Sequence, residues 1–141
     1  MADTVFLDAA YAIALCSPAD QFHALAAAPA QRLESSAMRL VTTSAVLLEI
    51  GNALAKEQHR RAAGQLLTSL CADPTVEIVP LSDQLFDQAL RLFSARADKE
   101  WGLTDCLSFV IMKERGISDA LTTDEHFRQA GFRILLREPA P

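Results

Sequence analysis

Short apolar runs alternate with longer amphipathic stretches along the chain. Residues 4–8, Thr-Val-Phe-Leu-Asp, are rich in β-forming types and too few for a helix, so they predict a strand that ends in a carboxylate. After residue 82, apolar side chains recur at helical spacing and predict an amphipathic helix. The same criteria predict strands at 39–43, 76–80, 119–123 and 132–136, and helices at 17–35, 44–57, 60–71 and 105–114.

Residues typical of helix ends support this division of the chain. Ser17 followed by proline is typical of a helix start, and Pro29 must bend or break the helix that follows. Gly116 is expected to end the helix before it. Strands separated by helices favour a parallel sheet covered by helices on both faces, so the sequence predicts an α/β fold. The other predicted helix starts are at Ser44, Ser82 and Thr104.

Composition narrows the class of protein. The 141 residues are 50% hydrophobic, which excludes disorder and is typical of one domain, here residues 1–141. The sequence has no long uncharged apolar stretch and no basic leader, so we expect a protein that does not enter a membrane. The three cysteines lack metal-binding spacing and favour the reducing cytoplasm. The net charge of −5 disfavours nucleic-acid binding through backbone electrostatics alone, although bound metal ions could hold a nucleic acid.

Four carboxylates are predicted to meet at one edge of the sheet. Asp8 ends the first predicted strand, and Asp124 directly follows the fourth. Asp105 lies in the first turn of a predicted helix, and Glu49 lies in the first turns of the helix after the second strand. Ligands of open parallel sheets bind beyond the carboxyl ends of the strands, so these four acids are candidates for one site.

Converging carboxylates raise one another's pKa values and favour a compensating cation. Oxygen ligands of this kind suit Mg²⁺ or Mn²⁺. Such an ion activates water and stabilises the charge that develops on phosphate oxygens during phosphodiester hydrolysis. The four acids therefore predict a metal-dependent hydrolase.

Each acid also has a purely structural interpretation. Asp105 and Asp124 are common residue types at helix starts, where they accept free backbone N–H groups. Glu49 could form a salt bridge on an exposed helix face, although that face also carries Asn52 and other small or polar residues that suit a site. Asp8 is hardest to explain structurally, because burying a carboxylate without a partner is unfavourable.

The basic and histidine residues carry weaker signals. Lys56, Arg60 and Arg61 form the densest basic run, which either faces solvent at a helix junction or contacts substrate phosphates. The histidines at 23, 59 and 126 show no metal-ligand spacing, so we predict none of them as a ligand.

Two motifs of the chain are distinctive: Leu-Thr-Asp-x-x-Ser-Phe at 103–109 and Leu-Thr-Thr-Asp-x-His-Phe at 121–127. Together with segments 5–8 and 43–54, they resemble the PIN domain, and most closely the branch of VapC-like ribonuclease toxins and their stand-alone relatives. The resemblance spans nearly the whole chain in the order and spacing of the family.

The resemblance implies a three-layer α/β/α fold with a mostly parallel five-stranded sheet. It also implies an endoribonuclease that cleaves RNA and uses Mg²⁺ or Mn²⁺. The implied protein partners are a second copy of the chain and, if the chain is a toxin, a small antitoxin protein. The acidic quartet of the family corresponds to Asp8, Glu49, Asp105 and Asp124, and the hydroxyls of Thr104 and Thr123 beside two of these acids could orient them.

Two alternatives remain at this point. A non-catalytic PIN module that serves as a binding scaffold would usually lack one of the acids, whereas all four are present here. A phosphatase with an aspartate nucleophile typically has Asp-x-Asp after the first strand, whereas Asp8 is followed by two alanines.

Overall fold

Five parallel strands form the centre of the fold. The computed structural model describes residues 4–17 and 38–135. The strands are β1 (Thr4–Leu7), β2 (Arg39–Thr43), β3 (Val76–Val79), β4 (Asp119–Leu121) and β5 (Arg133–Ile134). Their order in the sheet is β3-β2-β1-β4-β5, with every neighbouring pair parallel. This sheet confirms the predicted α/β fold with a five-stranded, mostly parallel sheet.

Helices connect the strands as the alternating pattern predicts. The helices within the described residues are α1 (Ala9–Cys16), α2 (Ser44–Ala53), α3 (Glu57–Ala72), α4 (Asp83–Ala95), α5 (Leu103–Arg115) and α6 (Glu125–Gln129). Helices α4 and α5 pack against each other, and α2 packs against both α1 and α3. None of the helices among residues 4–17 and 38–135 is long and apolar enough to cross a membrane.

The central strand β1 contributes to two apolar cores. Alternate side chains of a strand point to opposite faces of its sheet. Phe6 is fully buried in one core with Ile50 and Phe127. Val5 and Leu7 are buried in the other core, together with Leu70 and Leu121 of the surrounding elements. The sheet is therefore covered on both faces, as the three-layer expectation requires.

Local details depart from the sequence-based boundaries. Sequence analysis predicted no helix at residues 9–16, yet α1 begins directly after Asp8, whose side chain caps it. Ser44 does not cap α2; Thr43 does, and the Ser44 hydroxyl instead accepts the N–H of Leu81 at 3.0 Å. Gly102 is the N-cap of α5, whereas Thr104 was predicted. The helix predicted at 17–35 lies almost wholly outside the described residues.

The strand order creates a crevice beside β1. The connection after β1 leads toward β2, whereas the connection after β4 leads toward β5 on the other side. Ligands of open α/β sheets bind where neighbouring connections diverge in this way. Asp8 follows β1 and Thr122 follows β4, so the topology places both residues at the crevice.

Candidate active site

Asp8 is the most deeply buried acid of the candidate site. Its residue is only 3% exposed. The Ala10 N–H and the Thr122 hydroxyl both donate to Oδ2, at 3.3 and 2.7 Å. Burial raises the pKa of Asp8 to about 7; the hydrogen bond from Thr122 opposes this shift, and the nearby charge of Asp105 adds to it.

Thr122 connects Asp8 to the loop that carries Asp124. The Thr122 hydroxyl donates to Asp8 and accepts the main-chain N–H of Asp124 at 3.0 Å. Thr122 is fully buried, whereas the predicted orienting residue Thr123 is half-buried. Sequence analysis missed Thr122 because β4 was predicted to extend to residue 123, whereas it ends at Leu121.

Asp105 lies in the first turn of α5 and is fixed by two donors. The N–H of Gly102 and Nδ1 of His126 each lie 3.1 Å from its Oδ2. Burial raises the pKa of Asp105, and the negative charge of Asp124 raises it further, whereas the bond from Gly102 lowers it. The adjacent Trp101 packs edge-on against Phe109 with ring centroids 5.0 Å apart, which anchors the start of the helix.

Glu49 approaches the cluster from α2. It is half-buried, and the Thr104 hydroxyl forms a hydrogen bond with its carboxylate. Burial raises the pKa of Glu49, and the charges of Asp105 and Asp124 raise it further. Glu49 is therefore near enough to two acids from other elements for their charges to act on it, and the orienting role of Thr104 stays a prediction.

Asp124 is both a helix cap and a member of the cluster. Its Oδ1 accepts the N–H of His126 at 2.9 Å, and it caps α6. The structural interpretation of Asp124 and Asp105 as helix-start residues therefore describes their bonds correctly. These caps use one oxygen of each residue, so they do not prevent a role at the site.

His126 belongs to the same cluster, although sequence analysis did not select it. Its Nδ1 lies 3.1 Å from Oδ2 of Asp105 and 3.4 Å from Oδ1 of Asp124. Ligand atoms of these three residues fit within 4.8 Å of one another, close enough to hold a metal ion. The available signal was the position of His126 two residues after Asp124, in the motif at 121–127.

Among the described residues, no lysine or arginine forms an ion pair with the four acids at this edge; His126 is the basic side chain beside them. Arginines of the described ranges pair with other acids, namely Asp98, Glu77, Glu125 and Asp119. Three of the clustered acids have raised pKa values, so their ionised forms lack compensation in the metal-free protein. A hard divalent cation bound by carboxylate oxygens would supply it, so the donor set fits Mg²⁺ or Mn²⁺.

The remaining predicted residues lie on the surface. Asn52 is exposed near the end of α2. Lys56 precedes α3, and Arg60 and Arg61 lie in its first turns, all three exposed. The Arg60 guanidinium donates to the carbonyl of Ala55 at 3.1 Å. Their predicted contact with substrate phosphates stays a prediction.

The chain matches the PIN domain family over residues 5–133. It belongs to that family. Two curated relatives, both named 23S rRNA-specific endonuclease VapC20, come from Mycobacterium tuberculosis strains CDC 1551 / Oshkosh and ATCC 25618 / H37Rv. Each is 29% identical to this chain over 129 residues, which are 91% of this chain and 95% of the relative.

A solved structure gives the same assignment. The crystal structure of Mycobacterium tuberculosis VapC20, described as a toxin that cleaves the sarcin-ricin loop, matches with a TM-score of 0.79 at 25% identity. The match covers 91% of this PIN-domain chain and 95% of that one. The predicted resemblance to VapC-like PIN-domain ribonucleases is therefore confirmed, and the likeness supports the predicted endoribonuclease function.

Proposed function

We propose that this PIN-domain protein is an endoribonuclease that hydrolyses RNA phosphodiester bonds with a divalent metal ion, Mg²⁺ or Mn²⁺. One observation carries the proposal: the nearly inaccessible Asp8 carboxylate interacts with the charges of Asp105 and Glu49, and Thr122 links it to Asp124. In the described part of the chain, no lysine or arginine forms an ion pair with these four acids. A group of acids around one buried carboxylate is unfavourable unless a cation completes it.

The protein side chains prepare the site before substrate binds. Asp8 and Asp105 each receive two hydrogen bonds on Oδ2, which fixes the orientation of both carboxylates. Glu49 closes the site from α2, and Asp124 holds the loop after β4. A bound divalent ion would supply positive charge that activates water and neutralises the scissile phosphate.

Structured RNA is the proposed substrate class. The VapC20 relatives are named for 23S rRNA, and the matched crystal structure is described as cleaving the sarcin-ricin loop. The exposed basic run at Lys56, Arg60 and Arg61 follows the helix of Glu49, where it could contact phosphates that flank the cleaved bond. We infer that a ribosomal RNA hairpin is the first substrate to test.

The same family likeness leads us to propose a toxin with two protein partners. One is a small antitoxin that blocks the acidic site, and the other is a second copy of this chain. An apolar stripe on α4, formed by Phe86, Leu90 and Phe93, supports the second proposal, because these side chains are 42–47% exposed and share one face of the helix. Growth arrest on expression, relieved by a protein encoded next to this gene, would support the toxin proposal.

The deciding experiment measures cleavage of a mixed RNA pool and a ribosomal hairpin, with Mn²⁺, with Mg²⁺ and with EDTA. We expect metal-dependent cleavage that the Asp8→Asn variant loses, with 5′-phosphate and 3′-hydroxyl product ends, because water is the nucleophile. A 2′,3′-cyclic phosphate product, or cleavage that survives EDTA, would contradict the proposed reaction.

A further inference from the structure

His126 adds a nitrogen atom to a site that is otherwise built from carboxylates. The ring is 29% exposed and faces Asp105 and Asp124 at the same time. The main chain fixes the position of the ring: the main-chain N–H of His126 donates to Asp124, and the next residue, Phe127, is fully buried. The imidazole therefore occupies a defined place inside the acidic cluster.

The distances around Nδ1 match those between neighbouring ligands of a small divalent ion. Nδ1 lies 3.1 Å from Asp105 Oδ2 and 3.4 Å from Asp124 Oδ1. In an octahedral site with metal–ligand bonds of about 2.1 Å, adjacent ligand atoms are about 3.0 Å apart. Two of the distances within this group thus match those of adjacent ligands, and the three residues offer ligand atoms that all lie within 4.8 Å of one another.

The chemistry of a nitrogen donor separates the candidate ions. Mg²⁺ prefers oxygen ligands and near-ideal geometry. First-row transition ions accept imidazole more readily, and Mn²⁺ accepts both imidazole and carboxylate. In the metal-free chain Nδ1 lies within hydrogen-bond distance of the Asp105 carboxylate, at 3.1 Å. Ligation needs the lone pair of Nδ1, so a neutral imidazole bound to the ion would carry its one proton on Nε2.

We propose that His126 is a direct ligand of the divalent ion, together with Asp105 and Asp124, and that it makes the site select Mn²⁺ over Mg²⁺. This inference rests on the proposed metal-dependent function and goes beyond the carboxylate quartet. The alternative is that His126 only orients Asp105 through a hydrogen bond.

Pulsed electron paramagnetic resonance of Mn²⁺ bound to the full chain tests direct ligation. We expect modulation from a directly coupled ¹⁴N nucleus in the unaltered protein and loss of this modulation in His126→Asn. The control variant His59→Asn should keep it, because His59 lies on α3 and is not part of the acidic cluster. Absence of nitrogen coupling in the unaltered protein would overturn the proposal without any variant. Failure to bind either ion would instead contradict the proposed function.

Calorimetric titration tests the selectivity. We expect His126→Asn to weaken Mn²⁺ binding by at least about tenfold and Mg²⁺ binding much less, which narrows the preference for Mn²⁺. An equal loss for both ions would assign His126 an orienting role only and would overturn the proposed ligation. Because the chain has a single tryptophan at position 101, its fluorescence reports whether the variant is folded.

Discussion

The hydroxyl of Thr122 donates a 2.7 Å hydrogen bond to Oδ2 of Asp8, although 114 residues separate the two along the chain. The same hydroxyl accepts the N–H of Asp124. One buried threonine thus connects the carboxyl ends of β1 and β4 and sets the distance between two acids of the site.

Replacing Thr122 by valine should therefore affect both stability and activity. We expect the free energy of unfolding to fall by about 1–3 kcal/mol, because a buried carboxylate and a main-chain N–H lose their partner. RNA cleavage should fall as well, since Asp8 is no longer oriented. Denaturant unfolding and cleavage assays would measure both effects.

Two further variants separate this role from simple packing. Thr122→Ser keeps the hydroxyl and should recover most of the activity, whereas Thr123→Val alters the neighbouring predicted residue and should change little. A larger loss in Thr123→Val than in Thr122→Val would favour the original sequence-based choice.

The raised pKa of Asp8 predicts how stability depends on pH. In the unfolded chain, Asp8 has the usual pKa of 3.8 and loses its proton above that pH. In the folded protein its pKa is about 7, so between about pH 4 and about pH 7 only the folded protein keeps this proton. The free energy of unfolding of the metal-free protein should therefore fall as pH rises from about 4 to about 7, by up to about 4 kcal/mol.

Denaturant unfolding at several pH values, with EDTA present, measures this dependence. The Asp8→Asn variant should show a flatter profile and greater stability than the unaltered protein near pH 8. An identical slope in both proteins would mean that Asp8 ionises without penalty when the protein is folded.

Metal binding should stabilise the folded protein through Asp105. Adding Mn²⁺ should raise the Tm, because the ion binds the folded chain in preference to the unfolded one. Asp105→Asn should shrink this gain and raise the metal-free Tm by relieving repulsion within the cluster. The matched control is Asp98→Asn, because the exposed Asp98 pairs with Arg96. A full metal response in Asp105→Asn would remove Asp105 from the site.

The basic run should contribute affinity for RNA without contributing to chemistry. Arg61→Ala should weaken RNA binding and reduce the slope of log K against log salt by about one unit, while the cleavage rate at saturating RNA stays constant. Arg39→Ala is the control, because the exposed Arg39 begins β2 at the opposite edge of the sheet. Equal effects of both substitutions would indicate general electrostatic attraction.

The apolar stripe on α4 should mediate self-association. Leu90→Lys should convert a dimer to a monomer in sedimentation experiments with little loss of stability, because Leu90 is 42% exposed. Gln84→Lys adds the same charge on the opposite face of the helix and should leave the dimer intact. A monomeric unaltered protein would contradict the proposed second copy.

The sequence by itself determined the fold class and the acids of the candidate site. The spacing of apolar residues distinguishes the strands from the amphipathic helices and marks where each begins and ends. Asp8, Asp105 and Asp124 lie beside these strand and helix ends. The motifs at 103–109 and 121–127 were specific enough to indicate the family, which the match over residues 5–133 confirms.

Only the tertiary structure decided which neighbours act on these acids. Leu7 pairs with Leu121 across β1 and β4, and this register directs Thr122 rather than Thr123 toward Asp8. His126 likewise reaches Asp105 because α6 begins at Glu125, directly after Asp124, and turns the ring toward α5. Contacts between residues far apart along the chain depend on strand register and helix orientation, which a local pattern of hydrophobic and polar residues does not contain.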